Sequence, residues 1–354
     1  MTSSTHTSPG LDGVGTRRAH LGLTAILLLS VVLSLFVGRY PSAPWTPPAT
    51  LRDDVLARRL VFNLRLPRVL TACLMGMVLA TAGFVLQMLF RNPLVEPGFL
   101  GVSQGAAFGA AVAIVILGAS ALTLQVVATA FGLLGLVIST TLARRIRYGG
   151  WTLRLILAGI AVSAFFSAGL SLLKIAADPL SELPELVFWL LGALWGVSWS
   201  EALAVLPIGA IALLVAYLMR WRLNVLALDD RTAVSLGTAP ARERMLLLIA
   251  VVAATAAMVS ISGIVGWVGL IVPQMARRLF GADARRALPG SMLLGGLFTL
   301  LCDDLARTAL TGELPLGIVT SLIGAVAFLV LMIVPHRQHR TLALSTSPPE
   351  REGL

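Results

Sequence analysis

The chain alternates long apolar runs with short polar breaks, and the runs have membrane length. They fall at 20–37, 69–90, 100–118, 120–142, 153–175, 199–219, 245–262, 264–279, 288–310 and 317–335. A helix needs roughly 20 apolar residues to cross a hydrocarbon core about 30 Å thick, so the pattern predicts an all-α polytopic membrane protein with about ten transmembrane helices. The first run lacks a small-residue cleavage pattern, which makes it a span rather than a removed signal. A shorter stretch, 187–199 (VFWLLGALWGVSW), carries Trp189, Trp195 and Trp199. It reads as a re-entrant or interfacial helix, because tryptophan suits the headgroup zone. Residues 1–19 and 336–354 are polar and read as a disordered lead and tail, leaving 20–335 as one transmembrane domain.

Composition strengthens this reading. The chain is 57% hydrophobic and 12% charged, where soluble domains average about 45–50% and about 25%. Its mean hydropathy is +0.90. Cys73 and Cys302 sit inside apolar runs, which excludes a disulfide framework and a zinc cluster. His6, His20, His336 and His339 lie near the termini, which excludes a histidine metal site or proton relay inside the membrane. The single lysine, Lys174, does not follow a glycine, so there is no phosphate-cradling P-loop. Any ATP that drives this protein is hydrolysed by another polypeptide. No nucleophile–base pair suggests an intramembrane enzyme.

The net charge of +10 points to membrane topology and not to nucleic acid. With both termini cytoplasmic, 19 of the 27 basic residues fall on the cytoplasmic side, as the positive-inside rule prefers. Of the remaining eight, six lie in 39–68. Arg65 and Arg68 there are either snorkelling interfacial side chains or a basic patch for an acidic partner.

Four further segments carry motifs. In 86–110, Arg91-Asn92-Pro93 ends a helix, and Gly101, Gly105 and Gly109 recur at the spacing that lets helices approach closely in lipid. Residues 223–244 are amphipathic and divided at Gly237, either a solvated loop or a pair of short surface helices gripped by a soluble partner. Gly263, Gly266, Gly269 and Pro273 suggest a kinked or discontinuous helix lining a pathway. Asp303 and Arg307 are four apart and meet on one helical face, with Glu313 and Pro315 beyond them in the outer loop. An acid of this kind also admits an ion-gradient-driven secondary transporter, although the adjacent arginine favours a structural pair.

Taken together, these segments resemble the permease family of binding-protein-dependent ABC importers for iron–siderophores, haem and cobalamin. The resemblance rests on Arg65-Leu66-Pro67-Arg68, Gln87, Arg91-Asn92-Pro93-Leu94, Pro97 and Leu100-Gly101-Val102-Ser103 with Gly105. It continues through Leu157-Ala158-Gly159, the stretch from Trp189 to Trp195, Gly263-Ile264-Val265-Gly266, Val268-Gly269-Leu270, Pro273, Asp303, Arg307 and Glu313-Leu314-Pro315. It implies a cobalamin-importer-permease-like fold in the inner membrane of a bacterium, pairing with a second copy or a homologous permease. It also implies separate ABC ATPase subunits, which hold the ATP, and an extracytoplasmic substrate-binding protein; no cofactor is bound directly. Arg65, Arg68 and Arg307 match the arginines that meet the binding protein. Leu226, Ala227, Leu228, Asp229, Ala233, Leu236 and Gly237 fall in the loop that couples to the ATPase. Two departures are Gln274, where the family usually has His, and Val326, where it usually has Pro, a loss expected to straighten the last helix.

Overall fold

The structure, a computed structural model, describes residues 13–40, 44–118, 120–310 and 312–334. Among these it contains helices and no strand, with one isolated bridge between Val37 and Trp45. The helices are α1 (Gly13–Phe36), α2 (Thr50–Asp53), α3 (Val55–Arg59), α4 (Leu66–Phe90), α5 (Val102–Ala111), α6 (Ala121–Arg145), α7 (Trp151–Ala176) and α8 (Glu182–Leu190). There follow α9 (Trp199–Leu218), α10 (Arg220–Leu226), α11 (Asp230–Ser235), α12 (Pro240–Ser262), α13 (Val268–Phe280), α14 (Ala284–Thr308) and α15 (Leu316–Ile333).

Eight segments are long and apolar enough to span a membrane. The shorter α5, extended by a π-helical turn over Val112–Ile116, and the 13-residue α13 complete the bundle. At 1.5 Å per residue α13 is only about 20 Å long, less than a hydrocarbon core of about 30 Å. It starts inside the bundle: a Cβ on Gly83, well inside α4, would lie 1.8 Å from the Gly269 carbonyl oxygen.

Small residues set the crossings. A Cβ on Gly76 would lie 2.1 Å from the Gly295 oxygen, and one on Gly295 would lie 2.3 Å from the Gly76 oxygen, so α4 and α14 pack backbone against backbone. Gly105 does the same against Phe131 of α6, where an added Cβ would sit 2.5 Å from the carbonyl oxygen. In contrast α1 is peripheral and turns Leu21, Leu28, Leu29 and Val32 outward.

Three expectations need correction or restriction. Helix α1 begins at Gly13, inside the stretch expected to be a disordered lead, because extending a formed helix adds one hydrogen bond for each residue fixed. Residues 1–12 and the tail 336–354 lie outside the described residues. The short helix expected at 187–199 is α8, which begins earlier, at Glu182, and ends at Leu190, where Gly192 just beyond takes a left-handed conformation that stops it. The last helix, α15, runs unbroken past Val326.

Candidate functional site

At one end of the bundle the charges are locked together. Asp303, fully buried on α14, faces two arginines. Arg68 in the first turn of α4 donates Nε to Asp303 Oδ1 at 3.0 Å and places Nη2 2.9 Å from the same oxygen. Arg307 Nε sits 3.2 Å from Asp303 Oδ2, one helical turn away. The network extends through Arg68 Nη1 to Glu313 Oε2 at 2.7 Å, and through an ion pair between Arg307 and Asp304. Ser34 of α1 joins by donating to Asp304 Oδ1 at 2.5 Å and accepting from Arg307 Nη2 at 2.8 Å. Two arginines around one buried carboxylate supply the compensation that a charge in low dielectric requires.

This geometry corrects the picture of an exposed patch built from Arg65, Arg68 and Arg307. Arg68 is 8% and Arg307 5% exposed. With Arg65 they line a cleft of about 670 Å³ that also includes Tyr40, Leu64, Trp195 and Glu313. Half-buried Arg65 donates to Leu35 O at 3.2 Å and Thr46 Oγ1 at 2.8 Å and carries no carboxylate partner among the described residues. On the adjoining segment, Arg58 donates Nη2 to the carbonyls of Leu51 and Arg52 at 3.1 and 3.2 Å.

The middle of the bundle is broken. Residues 97–100 form a single 3-10 turn against the interiors of α6 and α7: Ser139 Oγ donates to Leu100 O at 3.0 Å, and a Cβ on Gly159 would lie 2.3 Å from Phe99 O. Gly101 follows at φ 79°, a conformation that favours glycine. On the facing side, residues 263–267 run unwound between α12 and α13. Gly263 takes φ 66°, and a Cβ there would meet the Trp189 oxygen at 2.0 Å. The glycine-rich stretch is therefore a linker between two helices and not a break within one. Pro315 caps α15 beside it, and Gly317 N donates to Gly192 O at 3.0 Å. Gly266 has open space around its α-carbon.

Pro273 inside α13 explains a long-range contact. Lacking an N–H, proline leaves the carbonyl four residues earlier, Gly269, without its helical donor. Gln87 of α4 supplies one: Nε2 donates at 3.1 Å to both Gly269 O and Leu270 O. Arg277 in turn donates to Gln87 Oε1. Two further polar side chains sit here, of which sequence reasoning did not single out Glu96. Glu96 accepts the backbone N–H of Trp267, joining the two unwound segments. Gln274, at the position where His was expected, donates to Pro93 O at 3.0 Å. A carboxylate directly before Pro97 and its turn was the available signal, but it is spent on Trp267 and does not cap that turn.

At the opposite end α10 and α11 form the surface loop. Leu226 and Ala233 are buried and anchor it, whereas Leu228, Val234 and Leu236 are exposed. Ala227 is half-buried between the helices. The division expected at Gly237 lies instead at 227–229, where the Asp229 side chain accepts Thr232 N at 3.0 Å and starts α11. That bond, the largest influence, holds the Asp229 carboxyl below the usual carboxylate range. The capped form is thus stabilised above the ordinary pKa of the group and lost as pH falls through the lowered one. Gly237, at φ 78°, closes α11: its N–H donates to Val234 O at 2.9 Å and Thr238 N to Ala233 O at 3.2 Å, a Schellman ending. Arg91, at the left-handed end of α4, donates to Leu228 O and ties this loop to Asn92-Pro93 and the 3-10 turn at 97–100.

Between these ends a cavity of about 590 Å³ opens on the surface of the bundle, walled by Leu94, Phe99, Leu190, Ile264, Leu270, Ile318 and Leu322. Among the described residues, Glu96 is the only charged one lining it.

Comparison with known proteins places these features in context. The sequence pattern of the FecCD transport family matches residues 26–334. The molybdate import system permease protein MolB of Haemophilus influenzae is 39% identical over 320 residues, 88% of this chain and 94% of that protein. A probable iron chelatin transport system permease protein of Helicobacter pylori is 37% identical over 322 residues, 88% and 97% of the two chains. A solved structure described as an inward-facing conformation of a putative metal-chelate type ABC transporter superposes with a TM-score of 0.83 at 38% identity, covering 89% of this chain and 99% of that one.

Proposed function

The chain belongs to the FecCD transport family, as a multi-pass permease of an ABC importer, and from that membership we propose that it carries a bulky iron chelate inward. Relatives named for molybdate and for iron chelatin are about equally similar, so similarity does not choose between the two substrates. The observation that carries the choice is the lining of the mid-bundle cavity. A small oxyanion needs donors and cations to replace its hydration. The wall is mostly apolar, with one carboxylate, the Ser321 hydroxyl and Trp267 as its polar members and no cation among the described residues, which suits the organic periphery of a chelate better than an oxyanion.

In this reading two permeases pair and the pathway runs between them. A substrate-binding protein docks at the Arg65 cleft on the outer side of the inner membrane. ATPase subunits seize the exposed leucines of α10 and α11 on the cytoplasmic side, where both termini lie. Motion of that loop reaches the 3-10 turn at 97–100 through Arg91 and passes from Glu96 to Trp267 and α13. A gradient-driven carrier would work without an ATPase; Asp303, held by two arginines, does not supply the lone acid it needs.

The test is uptake into proteoliposomes holding the permease with its ATPase and binding protein. Ferric hydroxamate accumulates and molybdate does not. Accumulation of molybdate alone overturns the substrate assignment.

A further inference from the structure

Away from the pathway and the loop, the first turns of α1 and α14 enclose a separate cavity of about 330 Å³. Arg17, His20, Leu21 and Thr24 line it from α1, and Arg285 and Arg286 from α14; no carboxylate is among its lining residues. The nearby acid, Asp283, is engaged as a cap and accepts from Asn224 Nδ2 at 2.7 Å and Arg285 N at 2.9 Å. The back wall is fixed. The His20 ring stacks on Phe280 with centroids 4.4 Å apart and planes 5° from parallel, and His20 Nε2 bonds the Arg286 carbonyl at 3.0 Å. The Arg285 guanidinium is held 3.6 Å above the Trp221 ring.

Arginines at a helix end commonly snorkel to water, and that alone explains their presence at this level. It does not explain a concave site whose guanidiniums come from two helices and whose lower edge continues into an apolar track. Leu21, Leu28 and Val32 share one face of α1 and all point outward.

We propose that this cavity binds the phosphodiester headgroup of an anionic phospholipid, with an acyl chain lying along Leu21, Leu28 and Val32. Basic pockets between transmembrane helices recognise anionic headgroups by this combination of charge and interfacial depth. The bound lipid bridges α1 to α14 and thereby holds the peripheral helix against the bundle. The inference stands apart from the substrate assignment, since no pathway residue lines the site.

Native mass spectrometry of the full-length chain, exchanged into phosphatidylglycerol or phosphatidylcholine, tests it. The wild type retains phosphatidylglycerol several-fold better than phosphatidylcholine. The double variant Arg17→Gln/Arg285→Gln loses that preference, and so does Thr24→Met, which fills the cavity at unchanged charge. Arg144→Gln/Arg147→Gln, with the same charge change elsewhere on this end, keeps it. Equal loss in both double variants, or retention in Thr24→Met, overturns the site. In a parallel thermal-shift arm, inorganic phosphate stabilising the wild type as much as phosphatidylglycerol would assign the site to free phosphate and overturn the lipid.

Discussion

The two ends of the bundle handle charge in opposite ways. Around Asp303 two buried guanidiniums pair with a fully buried carboxylate, with Asp304 and with the more exposed Glu313, across α1, α4, α14 and the loop to α15. Around α10 and α11 the ion pairs are peripheral, Arg222 with Glu243 and Arg244 with Asp230, and leucines face outward. The first arrangement fixes helix ends relative to one another. The second leaves an adhesive surface on a loop tethered by Arg91. The difference separates an end whose helices are cross-linked by buried charge from an end that offers exposed apolar side chains.

Substitutions that break this contrast should differ in size accordingly. Asp303→Ala strands two buried cations and should cost about 3–5 kcal/mol, read as a drop in thermal unfolding of the detergent-solubilised protein. Gln87→Leu removes the donor for the carbonyl that Pro273 leaves free and should cost about 1–3 kcal/mol in the same measurement. Gly237→Ala meets no neighbour within 4 Å, so only its left-handed backbone is strained. It should cost about 1 kcal/mol, seen as faster amide exchange confined to α11. Arg222→Gln, removing a half-exposed partner, should cost about 0–1 kcal/mol. Asp303→Ala and Arg222→Gln proving equal would erase the distinction between the ends.

The helices were legible because the hydrophobic runs have membrane length, and Asp303 with Arg307 was legible because their spacing is local. The pairing of Arg68 with Asp303 was not legible, because nothing in the sequence signals that it reaches a residue 235 positions away. The pairing of Gln87 with α13 was half-visible: Pro273 announces a free carbonyl, but only the fold says which side chain fills it. Gly237 was read as a divider because glycine interrupts helices. Asp229 before a short helical run was the better signal, since its side chain caps the first turn. Glu96 was passed over inside a motif valued for its proline and glycines, yet it joins both unwound segments.

The central claim is that drive enters through the leucine-faced loop. The measurement is ATP-dependent uptake of ferric hydroxamate in proteoliposomes containing the permease, its ATPase and its binding protein, comparing wild type with Leu228→Asp/Leu236→Asp. Both side chains are exposed, so the account predicts that uptake disappears while the thermal unfolding midpoint stays unchanged. Uptake at the wild-type rate in the variant, or uptake that ignores ATP and collapses with an uncoupler, would contradict it.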